Sequence, residues 1–298
     1  MSLTKKILAA AATLPLIAVL AGCAGSAADA EKGTEDNPVK IGVVGASDPY
    51  WEVYKKAAAD EGIAVDIVDF TEYPQPNPAL TEGEIDLNQF QHIVYLAQYN
   101  EASGEDLVPV GATAIYPLAL YSTKYDSVKD IKEGDTVAIP NDESNLSRAL
   151  LVLQSAGLVE LKDGGSIFST VDDVDTDKST VKVTTLEASL TPTSLPDVAA
   201  AIINNDFVAD AGLTFEDAIA QDDPSDPNAL PYVNIFAARA EDKDNETYAK
   251  LVKIYQDTKT VTDAVQENSG GTAVFVKTPV EDLQSSLEKV QSDIKAKG

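Results

Sequence analysis

Arg148 is the residue whose type and position most clearly suggest chemistry, because the chain contains only two arginines, Arg148 and Arg239. It follows a short apolar segment, Val137 to Pro140, and the spacing predicts that it lies in the first turn of the next helix. Ser144 or Asn145 can cap that helix, which leaves free backbone N–H groups at its start. A helix start favours an anion, and a guanidinium binds a carboxylate through two parallel hydrogen bonds. Arg148 is therefore predicted either to bind a ligand carboxylate or to form a surface salt bridge with one of the many acidic residues.

His92 is the only histidine of the chain, and no catalytic motif surrounds it. A catalytic triad needs a nucleophile and an orienting carboxylate, and the sequence contains no Gly-x-Ser-x-Gly motif. A zinc site would need further histidine or cysteine ligands, which the sequence does not supply. We therefore predict that the chain is not an enzyme and that it binds neither a metal nor a cofactor.

Several aromatic residues lie at predicted strand ends or beside His92, namely Tyr50, Trp51, Phe90, Tyr95 and Tyr116. Each of them alone is compatible with packing in the core. Together they can line an apolar pocket for a side chain, while Arg148 and nearby amides hold the charged end of the ligand. Both interpretations stay open at the level of the sequence.

The N-terminal sequence has the layout of a secretory signal peptide. Two lysines precede an apolar stretch, Ile7 to Leu20, which is shorter than the roughly 20 residues that a membrane span needs. The small residues before Cys23 resemble the bacterial lipobox, and Cys23 is the only cysteine, so no intramolecular disulfide can form. Residues 1–22 are predicted to be removed, Cys23 to carry a lipid, and residues 23–37, which are small and polar, to be a flexible tether.

The formal net charge of −27 limits the partners of this chain. Nucleic acids are bound through clustered lysine and arginine, so a chain this acidic is not expected to bind them. An anionic membrane surface repels it as well, and therefore the predicted lipid, not the protein surface, holds it at the membrane.

Predicted strands and helices alternate along the rest of the chain, which favours an α/β fold with largely parallel sheets. The predicted strands are Val39–Val44, Val65–Phe70, Val137–Pro140, Val181–Leu186, Ala200–Ile203 and Val233–Ala237. The predicted helices are Tyr50–Glu61, Asn88–Ala102 and Asn145–Gly157, and a proline-rich turn is predicted at Tyr73–Pro78.

Two extended segments without an intervening helix, Tyr116–Ser122 and Tyr232–Ala238, are the predicted crossings between two lobes. Residues 38–120 plus 235–298 would form the first lobe, and residues 121–234 the second. A ligand is expected in the cleft between the lobes, near the C-terminal ends of strands.

Several motifs in this order resemble the NlpA lipoproteins, which are methionine-binding subunits of ABC importers. They are Phe90-Gln91-His92, Tyr116-Pro117, Ile139-Pro140-Asn141-Asp142, Asn145-Leu146-Ser147-Arg148, Ala201-Ile202-Ile203-Asn204 and Pro231-Tyr232-Val233-Asn234. The resemblance covers essentially the whole chain after Cys23 and includes the lipobox. It implies a two-lobe fold of the type II periplasmic-binding-protein class, a monomer, a cleft for L- or D-methionine, and a permease with its ATPase as partners.

The resemblance also implies roles for individual residues. Arg148 would hold the ligand carboxylate, and Asn145 would help to shape this anion site. Asn204 and Asn234 would bind the carboxylate or the ammonium group. The residues that would enclose the thioether are Phe90, His92 and Tyr116, with Tyr95 as a further candidate.

The sequence departs from the family pattern at Gly45–Trp51, which is bulkier than expected, and at the pair Asn204-Asn205, of which either amide could face the cleft. The ligand could therefore also be a methionine-containing dipeptide or another amino acid. A surface adhesin without a transport role is the alternative from another class of protein, and an extracellular hydrolase is the weakest interpretation because His92 has no recognisable catalytic partner.

Overall fold

The computed structural model describes residues 32–226 and 229–297. The predicted signal peptide, the lipidation of Cys23 and most of the predicted tether lie outside the described residues. Within the described part, the strands are β1 (Val39–Val44), β2 (Val65–Phe70), β3 (Leu87–Asn88), β4 (Val108–Ala112), β5 (Ala114–Ile115), β6 (Ala119–Tyr121), β7 (Thr136–Pro140), β8 (Lys182–Leu186), β9 (Ala200–Ile203), β10 (Ala220–Gln221), β11 (Ile235–Ala238) and β12 (Val274–Phe275). The α-helices are α1 (Pro49–Asp60), α2 (Pro76–Thr81), α3 (Ile93–Ser103), α4 (Glu143–Ser155), α5 (Glu246–Asp257), α6 (Lys259–Asn268) and α7 (Val280–Lys297).

Ten of the described strands form two five-stranded sheets, and β5 and β12 form a separate antiparallel pair, which confirms the α/β class. The first sheet has the order β2-β1-β3-β11-β4, and the second has the order β10-β6-β9-β7-β8. In each sheet a central strand has parallel neighbours: β1 pairs with β2 and β3, and β7 pairs with β8 and β9. The returning strands β11 and β6 pair antiparallel with their neighbours, so the sheets are mixed and not largely parallel as the alternation predicted.

The chain passes between the two sheets twice. It leaves the first sheet after β4 and enters the second at β6, within the predicted crossing Tyr116–Ser122. It returns between β10 and β11, so the second crossing precedes β11, whereas the predicted segment Tyr232–Ala238 contains that strand. The boundaries assigned to the two lobes stay a prediction.

Each sheet is covered by helices whose apolar faces it buries. In the first sheet, Ile41 and Val43 of β1 belong to one buried cluster with Trp51 and Tyr54 of α1. Helix α5 approaches β4 so closely that a Cβ at Gly111 would lie 2.2 Å from the side chain of Val252, and therefore only glycine fits there.

In the second sheet, helix α4 packs on β7 through a buried apolar stripe. Val137 and Ile139 of β7 join Ala149, Leu150 and Leu153 of α4 in one cluster. The periodicity of these residues predicts the helix correctly. The predicted start of the helix is wrong by two residues, because the helix begins at Glu143 and not at Asn145.

Two further segments differ from the sequence prediction for local physical reasons. The proline-rich stretch does not stay a turn but begins α2, since Pro76 occupies the first helical position, where a missing N–H is tolerated. The helix predicted from Asn88 begins only at Ile93, because Asn88 pairs with Gly42 of β1 and His92 caps the helix.

The last part of the predicted tether is packed on the fold. Lys32 forms a salt bridge of 2.9 Å with Asp86, and the backbone N–H of Ala64 donates to the carbonyl of Gly33 at 2.7 Å. The prediction of a flexible tether is therefore wrong for residues 32–37. Among the described ranges, no helix has the length and apolar character that a bilayer crossing requires.

Candidate ligand-binding site

All eight predicted binding residues line one cavity. It is lined by Tyr73, Phe90, Gln91, His92, Tyr95, Tyr116, Pro117, Leu118, Asn145, Arg148, Asn204, Asn205 and Asn234. These residues come from the ends of strands and the starts of helices of both sheets, the region where α/β proteins bind ligands. A larger groove of about 1970 Å³ lies among α1, α5 and α6, but it is lined by none of the eight, and we place the candidate site in the cavity where polar and aromatic groups converge.

Arg148 is buried, with 6 % of its surface exposed, and is held by two hydrogen bonds. Its Nε donates to Oδ2 of Asp222 at 2.6 Å, and its Nη2 donates to the carbonyl of Tyr116 at 2.8 Å. The ring of Tyr232 lies 4.5 Å from the guanidinium carbon, within the range of a cation–π interaction. Nη1 has no hydrogen-bond partner among the described residues, so its two N–H groups are available to a ligand.

This geometry corrects two sequence-based expectations about Arg148. The residue lies in the second turn of α4, since the helix begins at Glu143 and Asp142 is its cap. The guanidinium also does not wait for an anion, because Asp222 already pairs with it. A salt bridge exists, but it is partly buried beside the cavity and fixes the orientation of the guanidinium, while binding of a ligand carboxylate stays a prediction.

His92 is held as a neutral imidazole by two hydrogen bonds. As the cap of α3, it accepts the backbone N–H of Tyr95 at Nδ1, at 3.2 Å. This leaves the proton on Nε2, which donates to Oδ1 of Asn145 at 3.3 Å. Burial, and after it the charge of Arg148, lowers the pKa of His92 to about 3, so the ring carries no charge near neutral pH.

Asn145 connects the cap of α4 with residues of both sheets. Its Nδ2 donates to the two carboxylate oxygens of Asp142 at 3.0 and 3.1 Å. Its Oδ1 accepts from Nε2 of His92 and, at 3.1 Å, from Nδ2 of Asn204. An ionised Asp142 can only accept hydrogen bonds, so Nδ2 of Asn145 must donate to it. Oδ1 of Asn145 therefore accepts, and the amide of Asn204 must donate to that oxygen.

Asn204 and Asn205 both line the cavity, but they have different partners. Asn204 donates to Asn145, while its Oδ1 is buried without a partner among the described residues. Asn205 donates instead to Oδ1 of Asp206 at 2.6 Å. Asn204 therefore presents an unsatisfied acceptor, which a donor group of a ligand could satisfy.

Asn234 is positioned by its backbone. It forms an isolated bridge with His92, and its N–H donates to the carbonyl of Ala114 at 2.9 Å. Its carbonyl accepts from the N–H and the hydroxyl of Thr113, at 2.8 and 3.0 Å. The cavity wall from β5 to β11 is thus fixed by main-chain contacts.

Aromatic rings form the apolar wall of the cavity. Phe90 and Tyr95 are in edge-to-face contact at 5.6 Å, and Tyr73 contacts both of them, at 5.8 and 6.1 Å. Trp51 is not part of this wall, since it is only 1 % exposed in the core beside α1. Tyr50 lines an adjacent cavity instead.

A buried network of amides supports the segment that carries Phe90 and His92. Gln91 donates to Oδ1 of Asn77 at 2.6 Å and to Oδ1 of Asn88 at 2.9 Å. Asn77 donates back to Gln91 at 2.8 Å, and Asn88 donates to Asn77 at 2.8 Å. Every member satisfies the others, so the segment is held rigidly at the cavity.

Four residues that organise the site were not predicted from the sequence: Tyr73, Asp142, Asp222 and Tyr232. Tyr232 stands in the family motif before Asn234, and Asp142 stands in the motif before Asn145. Their positions in these motifs are the signal by which both could be predicted as site residues. The pairing of Asp222 with Arg148 could not be predicted from the sequence, because the two residues lie 74 positions apart in a chain with many acidic residues.

Two mixed sheets, two chain crossings and a polar, aromatic cavity between them define the fold of the periplasmic solute-binding proteins. Within this class the chain belongs to the NlpA lipoprotein family, whose model matches residues 39–276.

Named relatives agree with this assignment. The D-methionine-binding lipoprotein MetQ of Yersinia pestis is 42% identical over 279 residues, which cover 92% of this chain and 99% of the relative. The crystal structure of protein PG110 from Staphylococcus aureus is similar with a TM-score of 0.80 and 36% identity, covering 85% of this chain and 99% of the other. The substrate binding protein of a methionine transporter from Streptococcus pneumoniae is similar with a TM-score of 0.73 and 35% identity, covering 80% and 95%.

Proposed function

We propose that this protein is a lipid-anchored solute-binding protein that captures methionine, in its L or D form, and delivers it to an ABC importer. The observation that carries the proposal is the buried guanidinium of Arg148, which lines the cavity with free N–H groups on Nη1. Two of the relatives described above are named for methionine binding or methionine transport.

In the proposed complex, the ligand carboxylate binds Nη1 of Arg148. A charge-assisted hydrogen bond of this kind contributes about 1.5–3 kcal/mol. The unsatisfied Oδ1 of Asn204 and the side chain of Asn234 bind polar atoms of the same end of the ligand.

The thioether side chain would lie against the aromatic wall of Tyr73, Phe90 and Tyr95, with Tyr116 and His92 beside it. A neutral thioether suits such a wall, since each sulfur–aromatic contact contributes about 0.3–1.5 kcal/mol. The neutral state of His92 is consistent with this apolar role.

The state of the only histidine supports the proposal of a binding role. Both ring nitrogens of His92 are engaged in hydrogen bonds, and its low pKa leaves it without the basicity that a general base needs near pH 7. The protein would be held outside the cytoplasm by a lipid on Cys23 and would act as a monomer toward a permease and its ATPase.

The two arginines offer a matched test of the proposal. Arg148→Lys keeps a cation for Asp222 but loses the free Nη1, so the affinity for methionine should fall about 10- to 100-fold. Arg239→Lys is the control, since Arg239 bonds the carbonyls of Leu80 and Ile85 and does not line the cavity. Isothermal titration calorimetry with both variants gives the two affinities.

The same titrations with L-methionine, D-methionine, methionine dipeptides and other amino acids identify the preferred ligand. An equal loss of methionine affinity in the two lysine variants would show that Arg148 does not bind the ligand. No heat of binding with any of these ligands would overturn the transport function and favour the adhesin interpretation.

A further inference from the structure

A second cavity adjoins the first. The two cavities share Phe90, Tyr116, Asn205 and Asn234 as lining residues. They differ in charge, since Arg148 lines only the first cavity. Among the residues that the structure describes, the second is lined by two carboxylates, those of Asp48 and Asp206, and by no cationic residue.

Asp206 is held in place but lacks a cation. Its Oδ2 accepts the hydroxyl of Tyr73 at 2.7 Å, and its Oδ1 accepts Nδ2 of Asn205 at 2.6 Å. No lysine or arginine among the described residues forms an ion pair with it. A carboxylate has about four acceptor positions, and these two bonds leave room for a further donor.

Burial opposes the charge of this carboxylate in the empty protein. It raises the pKa of Asp206 to about 7, and the nearby Asp48 adds to the effect. Burial likewise raises the pKa of Asp48, which accepts a hydrogen bond from Asn268 at 3.1 Å. A ligand that brought a positive charge into the second cavity would relieve this unfavourable environment.

The charges of the two cavities are complementary to those of a zwitterion. The charge of Arg148 is already balanced by Asp222, so a carboxylate that binds there makes the first cavity more negative. Of the two carboxylates of the second cavity, Asp206 is the one hydrogen-bonded to the shared residue Asn205, so it can accept the cationic group of the same ligand.

We infer that Asp206 binds a primary ammonium group of the ligand in the second cavity. The ammonium is either the α-ammonium of a free amino acid or the N-terminal ammonium of a dipeptide, two sources of one chemistry. The inference rests on the proposed function, because it assumes that the ligand carboxylate lies at Arg148.

The test compares ligands that differ only in the amine. Wild-type protein is titrated with methionine, with its analogue lacking the amine (4-methylthiobutanoate), with a methionine dipeptide and with the N-acetylated dipeptide. A ligand whose amine binds Asp206 should have at least tenfold higher affinity than its counterpart without a free amine. Asp206→Asn should abolish that advantage, while the affinities for the ligands without an amine stay unchanged.

Two control variants separate the role of the carboxylate from that of its surroundings. Tyr73→Phe removes the bond to Asp206 but keeps the carboxylate, so it should lower all affinities equally and preserve the advantage of the amine. Asp210→Asn removes an exposed acid whose charge acts on Asp48, and it should likewise preserve the advantage of the amine. A thermal melt of each variant establishes that it is folded.

The outcomes are distinguishable. Loss of the amine advantage for the amino acid alone assigns the α-ammonium to Asp206, and loss for the dipeptide alone assigns the N-terminal ammonium. An undiminished advantage in the folded Asp206→Asn protein overturns the inference while methionine binding stands. Failure of the wild-type protein to bind any of the four ligands is instead a failure of the proposed function.

Discussion

The residues of the cavity interact mainly with one another. Asn145 accepts from His92 and Asn204, Arg148 pairs with Asp222, and Tyr73 donates to Asp206. Such mutual bonds fix the side chains before a ligand arrives, which reduces the conformational entropy that binding must remove. Among the described residues, Nη1 of Arg148 and Oδ1 of Asn204 are left without a hydrogen-bond partner, so a ligand can satisfy both.

Burial of His92 makes the stability of the protein depend on pH. Its pKa is about 3 in the folded protein and about 6.5 in the unfolded chain, so between these values only the unfolded chain binds a proton at this position. Stability is therefore lost as the pH falls below about 6.5, by up to about 1.4 kcal/mol per pH unit. Above that value both states are neutral, and the contribution of His92 no longer changes.

His92→Asn tests this dependence, because asparagine also caps helices but does not titrate. The free energy of unfolding in urea should fall less steeply between pH 6 and pH 4 for the variant than for the wild type. The slopes are compared, not the absolute stabilities, because the substitution also removes buried ring contacts. Parallel curves for the two proteins would show that His92 does not carry the effect.

Part of this site could be predicted at the residue level, and part could not. The eight residues derived from the family motifs line one cavity, although their individual roles stay predictions. Asp222 and Asp206 were not foreseen, because their partners Arg148 and Tyr73 lie 74 and 133 positions away. Pairings at such a distance depend on how two sheets meet, which a local pattern does not contain.

Among the elements, the short segment between β3 and α3 determines the shape of the site. It carries Phe90 and His92, and the amides of Asn77, Asn88 and Gln91 hold it from behind. These amides are buried, so a missing member would leave its partners unsatisfied.

Gln91→Leu should therefore destabilise the protein by about 2 kcal/mol or more, because buried donors and acceptors of Asn77 and Asn88 lose their partners. Gln221→Leu, at an exposed position of β10, should change stability by no more than about 0.5 kcal/mol. Urea denaturation of both variants provides the comparison. A Gln91→Leu protein as stable as the control would mean that the network contributes little.

The elements that depend only on adjacent residues were predicted well from the sequence. The apolar stripe of α4 and the alternation that gives an α/β fold are properties of adjacent residues. Strand β3 was predicted as part of a helix, because its two residues become a strand only through pairing with β1. Helix α2 differs from the predicted turn, because the same prolines that favour a turn are also tolerated in the first turn of a helix.

At the scale of the whole molecule, two of the hydrogen bonds among the described residues join the cavity side of the first sheet with that of the second. One runs from Tyr73 to Asp206, and the other links His92 with Asn145. An open form, with the sheets further apart, would have to break both. A ligand favours closure only to the extent that it binds the closed form more tightly.

Tyr73→Phe should consequently shift the empty protein toward an open form. Small-angle X-ray scattering should give a larger radius of gyration for the empty variant than for the empty wild type, with a return to the wild-type value when methionine is added. Tyr125→Phe is the matched control, because its hydroxyl bonds Asp135 at 2.9 Å and both residues lie in the segment between β6 and β7. Identical radii for the two empty variants would contradict the role of Tyr73 in closure.

The salt bridge between Arg148 and Asp222 has a consequence for repeated use of the protein. Since Asp222 pairs with the guanidinium independently of the ligand carboxylate, release of the ligand does not leave this buried positive charge without a counter-charge. The emptied receptor regains its resting state without drawing a counter-ion from the medium. Such self-sufficiency suits a carrier that must load and unload many times.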